Sequence, residues 1–253
     1  MDTKNSSKLK RMLTLHQPGT ILLSKLLLKQ GISRDLQKAY RKGGWLESIG
    51  PGAYKRPDDH ITWRGALFAV QHQANVNVHV GATSAISMQG LSHYLRQSDE
   101  TLFLFTQKST VVPKWFMTHK WGNRLRVVKT SFLPDQIGLT AHEDKGLSIK
   151  IATPERAILE TLYLVPKEMD LTECLLIMEG LSNLRPKLIQ QLLESCKSVK
   201  VKRLFLFLAG KVQHQWLQFL DKGRVDLGTG DRSIAKGGVY DPKFRIVIPK
   251  ELA

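Results

Sequence analysis

Few side chains in this sequence are grouped in a way that could do covalent or metal chemistry. The eight histidines are scattered, and only two cysteines occur, Cys174 and Cys196. His72, His79 and His93 have no cysteine partners at metal-ligand spacing and no adjacent carboxylate pattern, so no metal site and no cofactor are expected. Carboxylates pair at Asp58 with Asp59 and at Glu143 with Asp144, in stretches that read as loops where such residues are solvated turn formers. A metal-dependent nuclease would need acids converging from separate strands, and spacing alone gives no such set. The glycine-rich LGTGDRSIAKGG (227–238) is basic, but lacks the GxxxxGK[ST] order that cradles phosphates ahead of a helix. The chain therefore reads as a non-enzyme, with no catalytic residue to nominate.

A different chemistry does assemble near the N-terminus. In RDLQKAYRK (34–42), Leu36, Ala39 and Tyr40 fall on one face of a helix, while Arg34, Lys38, Arg41 and Lys42, with Gln37 beside them, project from another. Arg and Gln pair with base edges in the major groove, and Lys holds phosphates. A short distance on, Tyr54, Lys55 and Arg56 form a second polar group, suited to the sugar-phosphate backbone or the minor groove.

The elements needed to position these groups are legible. Residues 7–15 bring Leu9, Met12, Leu13 and Leu15 onto one helical face, and Gln17, Pro18 and Gly19 end the helix. Thr20 then caps a second helix over 21–29 with Leu22, Leu23, Leu26 and Leu27 inward, closed by Gly31. Ser33 caps the third helix, which Gly43 and Gly44 stop. WLESI, GPG and AYKR followed by Pro57 read as a small hairpin whose glycines tolerate positive φ. Helix, helix, tight turn, basic helix and hairpin in this order predict a winged helix-turn-helix over residues 1–58, binding duplex DNA.

The rest, residues 61–253, reads as a larger domain. Its first part, 61–150, mixes an amphipathic helix over 61–74, strands at VNVHV, TLFLFT, RLRVVK and LSIKIA, and a short helix over 82–89. The part from 151 is mainly helical. Thr153 caps and Pro154 opens a helix with Ala157, Ile158, Leu162 and Leu164 inward; Asp170 with Glu173 starts another; Pro186 starts a third. Residues 201–208 and 213–220 continue the helices, and SIA, KGG and FRIVI suggest a terminal β-hairpin. The fold class is α+β: a winged helix-turn-helix followed by a mixed domain with a helical second half.

Charge adds a second clue. The net charge is +16, and it is segregated: residues 1–60 hold 12 Lys/Arg against 5 Asp/Glu, residues 61–194 hold 14 against 12, and residues 195–253 hold 12 against 5. Two basic ends imply polyanionic partners, and Lys197, Lys200, Lys202, Arg203, Arg232 and Lys236 mark the second one. No apolar run reaches the ~18 residues of a spanning helix, and the first residues are not a signal peptide, so a cytoplasmic protein with no membrane partner is expected. An RNA-binding protein using both basic ends is a competing reading.

GISRDLQKAYRKGGWLESIGPGAYKRP (31–57) and TPERAILETLYLVP (153–166) resemble the AbiEi family, antitoxins of type IV toxin-antitoxin (abortive infection) systems. The resemblance continues through LRPKLIQQLLESCKSVKVKRLFLFLA, LGTGDRSIAKGGVYD and FRIVIPKEL. It implies a protein whose N-terminal domain represses its own operon at inverted repeats in promoter DNA, two copies associating on the DNA. The remainder would counter a nucleotidyltransferase-like toxin, without a stable complex between the two. Carried over by position, the DNA-reading residues are Ser33, Arg34, Gln37, Lys38 and Arg41, with Lys55 and Arg56 in the wing. The second basic group becomes the candidate antitoxicity surface. The sequence contains no GS-type nucleotidyltransferase motif with paired aspartates, so it resembles the antitoxin of such a pair. The alternative is a winged-helix regulator whose larger domain binds a ligand or mediates dimerisation.

Overall fold

The computed structural model describes residues 3–91 and 101–253, so His93 lies outside the described residues. The chain forms two compact units that interleave along the sequence. One comprises residues 1–78, 109–125 and 141–150; the other comprises residues 79–108, 126–140 and 151–253. The single boundary expected near residue 58 is not a limit of either unit.

The first unit opens with α1 (Thr3–Leu15), β1 (Leu22–Leu23), α2 (Ser24–Lys29), α3 (Arg34–Lys42), β2 (Glu47–Gly50), β3 (Ala53–Lys55) and α4 (Trp63–Phe68). Helix α4 runs into a single π-helical turn over Ala69–Gln73. The helix expected from residue 21 starts only at Ser24, because Leu22 and Leu23 pair with Tyr54 and Ala53 in an antiparallel ladder. Thr20 is not a cap; its hydroxyl donates to the Gln17 carbonyl at 2.6 Å. Strand order is β1-β3-β2, a three-stranded wing. Met12, Leu22, Leu27, Ile32, Tyr40 and Leu46 form the core beneath it. Removing such side chains from water contributes about 1.5–3 kcal/mol each.

Next come β4 (Val78–Val80), α5 (Ala82–Met88), β5 (Thr101–Thr106), α6 (Lys114–Thr118), β6 (Arg124–Lys129), β7 (Leu139–Asp144) and β8 (Leu147–Ala152). The strands form a five-stranded sheet in the order β6-β5-β4-β8-β7, with β4 and β8 parallel. Strand β7 is a correction to the sequence reading: Glu143 and Asp144 end a strand and are not loop residues, and Asp144 lies 3.2 Å from the Arg64 guanidinium.

The second unit is organised around α7 (Pro154–Leu164), which packs against α5, α8 (Leu171–Glu179), α9 (Pro186–Ser195) and α10 (Val199–Val212). Surrounded in this way, α7 buries its charged residues along with its apolar ones. Glu160 is fully buried, accepting from His79 Nε2 at 2.7 Å and Arg156 Nε at 2.7 Å. Glu155 accepts two bonds from the Arg185 guanidinium at 2.9 and 3.0 Å. Buried charges persist only when partnered in this way.

Strands β9 (Arg232–Ser233), β10 (Val239–Asp241) and β11 (Ile246–Ile248) close the chain in the order β10-β11-β9. The terminal hairpin is β10 with β11, whereas the SIA stretch joins β11 in parallel. No helix among the described residues is long and apolar enough to cross a membrane, and no cluster of His, Cys, Asp and Glu among them could hold a metal ion.

Candidate nucleic-acid interface

Local signals in the sequence set the recognition helix. The Ser33 hydroxyl accepts from the Leu36 amide at 3.3 Å, Asp35 sits in the first turn, and Arg41 and Lys42 sit in the last, matching the helix dipole at both ends. Gly31 at φ +77° makes the turn from α2 and Gly44 at φ +73° the exit from α3, a backbone region that favours glycine.

The packing face of α3 differs from expectation. Gln37 and Tyr40 are buried and Leu36 is half-buried, whereas Ala39 is exposed. Gln37 is 1% exposed: its amide nitrogen donates to the Ile32 carbonyl at 2.9 Å, and its carbonyl accepts from the Ser24 hydroxyl at 2.7 Å. These bonds fix α3 against α2 and engage both polar atoms of the Gln37 amide. The Ser33 hydroxyl is likewise engaged as the helix cap.

The remaining cations converge. Arg34, Lys38 and Arg41 are exposed and line a concavity of about 650 Å³ together with Lys25, Leu28, the buried Gln37, Gly52, Tyr54 and Trp115. No carboxylate lines it. The Arg41 guanidinium stands 6.0 Å from the centre of the Tyr54 ring, tying α3 to the wing. Lys42 is exposed but outside this concavity, as is the half-buried Arg56. Lys55 is held at the hairpin base, 3.1 Å from the Glu47 carboxylate and donating to the Pro57 and Asp59 carbonyls. Sequence reasoning missed Lys25 and Trp115. Lys25 is a lone cation in an apolar stretch, and Trp115 reaches the wing only through a tertiary contact.

Residues 5–97 match the family model described as "Transcriptional regulator, AbiEi antitoxin N-terminal domain". Residues 99–249 match the model described as "Transcriptional regulator, AbiEi antitoxin, Type IV TA system". The chain belongs to the AbiEi antitoxin family. No curated protein sequence matches it. The fold of this AbiEi antitoxin is similar to the crystal structure of the RV2827C protein from Mycobacterium tuberculosis, with a TM-score of 0.62 at 13% identity over 98% of this chain and 92% of that one.

In the second unit of the antitoxin, two of the six residues of the expected basic surface, Lys202 and Arg203, prove internal. Arg203 is 1% exposed and donates to the Leu227, Gly228, Gly230 and Arg245 carbonyls at 2.8, 3.1, 2.6 and 3.2 Å. It organises the glycine-rich loop from beneath. Lys202 is buried, and Lys200 donates to the carbonyls of Tyr163, at 2.8 Å, and Val165 at the end of α7. Burial lowers the Lys200 ammonium below its usual lysine range. Lys202 and Arg203 face protein because α10 is buried from Val201 to Ala209, while the half-buried Lys200 is engaged by the carbonyls at the end of α7. Lys197, Arg232 and Lys236 remain exposed.

Both thiols are free and buried. Burial pushes the Cys174 thiol well above its usual range and raises that of Cys196.

Proposed function

We propose that this AbiEi antitoxin represses its own operon by docking α3 in the major groove of inverted repeats in promoter DNA, one copy per repeat. The observation that carries this reading is the carboxylate-free concavity where Arg34, Lys38 and Arg41 meet Lys25 and Tyr54 beside a three-stranded wing. A helix of this size fits the groove, with Arg at base edges and Lys at phosphates. Residues 1–58 supply the reading elements. Residues 61–253 counter a nucleotidyltransferase-type toxin without forming a stable complex, and the exposed Lys197, Arg232 and Lys236 are what remain of their candidate surface.

The test is fluorescence anisotropy of the full chain on its promoter duplex. Arg34→Ala and Arg41→Ala should each lose about 1–3 kcal/mol of specific binding. Wild-type affinity in both variants would overturn the reading. Co-expression with the adjacent toxin gene tests the second half: Lys197, Arg232 and Lys236 changed together to Glu should abolish growth rescue at unchanged protein level. Full rescue would remove this surface.

A further inference from the structure

Residues 109–125 belong to the same compact unit as the winged helix, although they follow it at a distance in the sequence. Their anchor is Trp115 on α6. It is 5% exposed and lies against the wing so closely that a Cβ on Gly50 would stand 2.6 Å from the Trp115 Cβ. Behind it the segment is packed on itself. Trp115 meets Trp121 edge-on at 6.4 Å, Phe116 is fully buried, and the Trp121 indole donates to the Phe116 carbonyl at 2.7 Å. The segment is a rigid platform attached to the wing, and Trp115 lines the same concavity as Arg34, Lys38 and Arg41.

The platform is strongly one-signed. Residues 109–125 carry Lys114, Lys120 and Arg124 and no Asp or Glu. All three cations are exposed, and the ion pairs found among the described residues include none of them. Solvated cations on a segment whose Trp115 lines the concavity beside α3 are suited to phosphate neutralisation, because each phosphate contact releases condensed counterions.

We propose that residues 109–125 are a third DNA-contacting element, in which Lys114, Lys120 and Arg124 hold phosphates of the duplex flanking the bases that α3 reads. This rests on the reading of α3 as the recognition helix. Gly50 permits the close wing contact that fixes the platform, and Trp115 acts as a positioning residue. The DNA footprint then extends beyond that of the winged helix alone.

The experiment measures affinity against salt, from about 50 to about 200 mM, for the full chain on its promoter duplex and on a scrambled duplex. It compares wild type, Arg34→Ala with Arg41→Ala, and the triple variant Lys114→Ala, Lys120→Ala, Arg124→Ala. Three lost contacts at about 0.9 each should lower the log–log salt slope by about 2.7, so that the affinity lost across this range shrinks roughly 40-fold. The preference for promoter over scrambled duplex should be unchanged. Trimming the duplex to the repeat alone should bring the wild-type slope down to that of the triple variant. A slope reduced by one contact's worth or more, with preference intact, supports the inference. A smaller reduction overturns it, and so does a loss of preference, which would place these residues at base edges. If the Arg34 and Arg41 variants lose specific binding while the triple variant keeps the wild-type slope, only this inference fails. If they bind like wild type, the reading of α3 fails as well.

Discussion

Replacing Arg203 with Met separates an internal role from a surface one. Methionine keeps the unbranched stem in the α10 packing and removes the guanidinium that holds four loop carbonyls. Hydrogen bonds to a charged donor contribute about 1.5–3 kcal/mol each, so four that could not be replaced would sum to roughly 6–12 kcal/mol. Two terms reduce this. The four acceptors belong to residues that are exposed or half-buried, so water takes over part of the bonding, and methionine recovers the desolvation cost of a buried charge. A net loss of roughly 2–4 kcal/mol remains, equivalent to a melting-point fall of roughly 4–16 °C in a chain of this size. The assay is thermal unfolding of the full chain, with Arg232→Ala and Lys236→Ala as exposed controls that should move it by less than about 2 °C. In cells the Arg203→Met protein should fail to protect because its level drops. A melting point within about 2 °C of wild type would refute the assignment of Arg203 as the organiser of residues 227–230.

Four further outcomes are expected. Glu160→Ala should cost about 3–5 kcal/mol in denaturant unfolding, since it leaves His79 and Arg156 buried without their shared acceptor; a loss under about 1 kcal/mol would contradict this. Burial alone would raise the Glu160 carboxyl, but the charges and hydrogen bonds of His79 and Arg156 outweigh it and hold the group below the usual range. A depressed folded value means that the stability is fully present above the unfolded value of about 4.3 and is lost as pH falls through the folded one. Wild type should therefore lose stability on acidification more steeply than Glu160→Gln, and parallel pH profiles would exclude the effect. Gly50→Val should weaken promoter binding and lower the melting point, because the wing must back away from Trp115; wild-type values of both would contradict the contact. Finally, Cys174 and Cys196, both buried, should resist a thiol reagent at neutral pH until the chain is unfolded; rapid native labelling of either would contradict its burial.

What the sequence made legible was local. Ser33, the Gly43–Gly44 stop and the GPG turn act within a few residues, so α3 and the β2–β3 hairpin could be placed from pattern alone. The α8 start at Asp170 and the α9 start at Pro186 are of the same kind. The errors came from non-local partners. ILLSKLLLK is as good a helix as it is a strand plus helix, and only pairing with Tyr54 and Ala53 decides for β1. Gln37 looks like a base reader by type, yet the Ser24 hydroxyl and Ile32 carbonyl claim it. The basic string on α10 resembles a solvated face, but the helices packed around it turn Lys202 and Arg203 inward. Of the residues expected to read DNA, Arg34, Gln37, Lys38, Arg41 and Tyr54 come together, because spacing along one short helix and its adjoining hairpin is enough to specify them.

The interleaving of the two units also constrains how such a protein can diversify. The unit that carries α3 is spelled by three separate stretches of sequence, so no single recombination breakpoint could transfer it whole between related genes. A hybrid joined after the wing would inherit Gly50 from one parent and its Trp115 partner from the other. The exposed face of α3 has no such dependence, since Arg34, Lys38 and Arg41 can each change without disturbing Gln37 or Tyr40. New operator specificities should therefore arise one codon at a time on that face, and sibling antitoxins sharing a cell should differ there first.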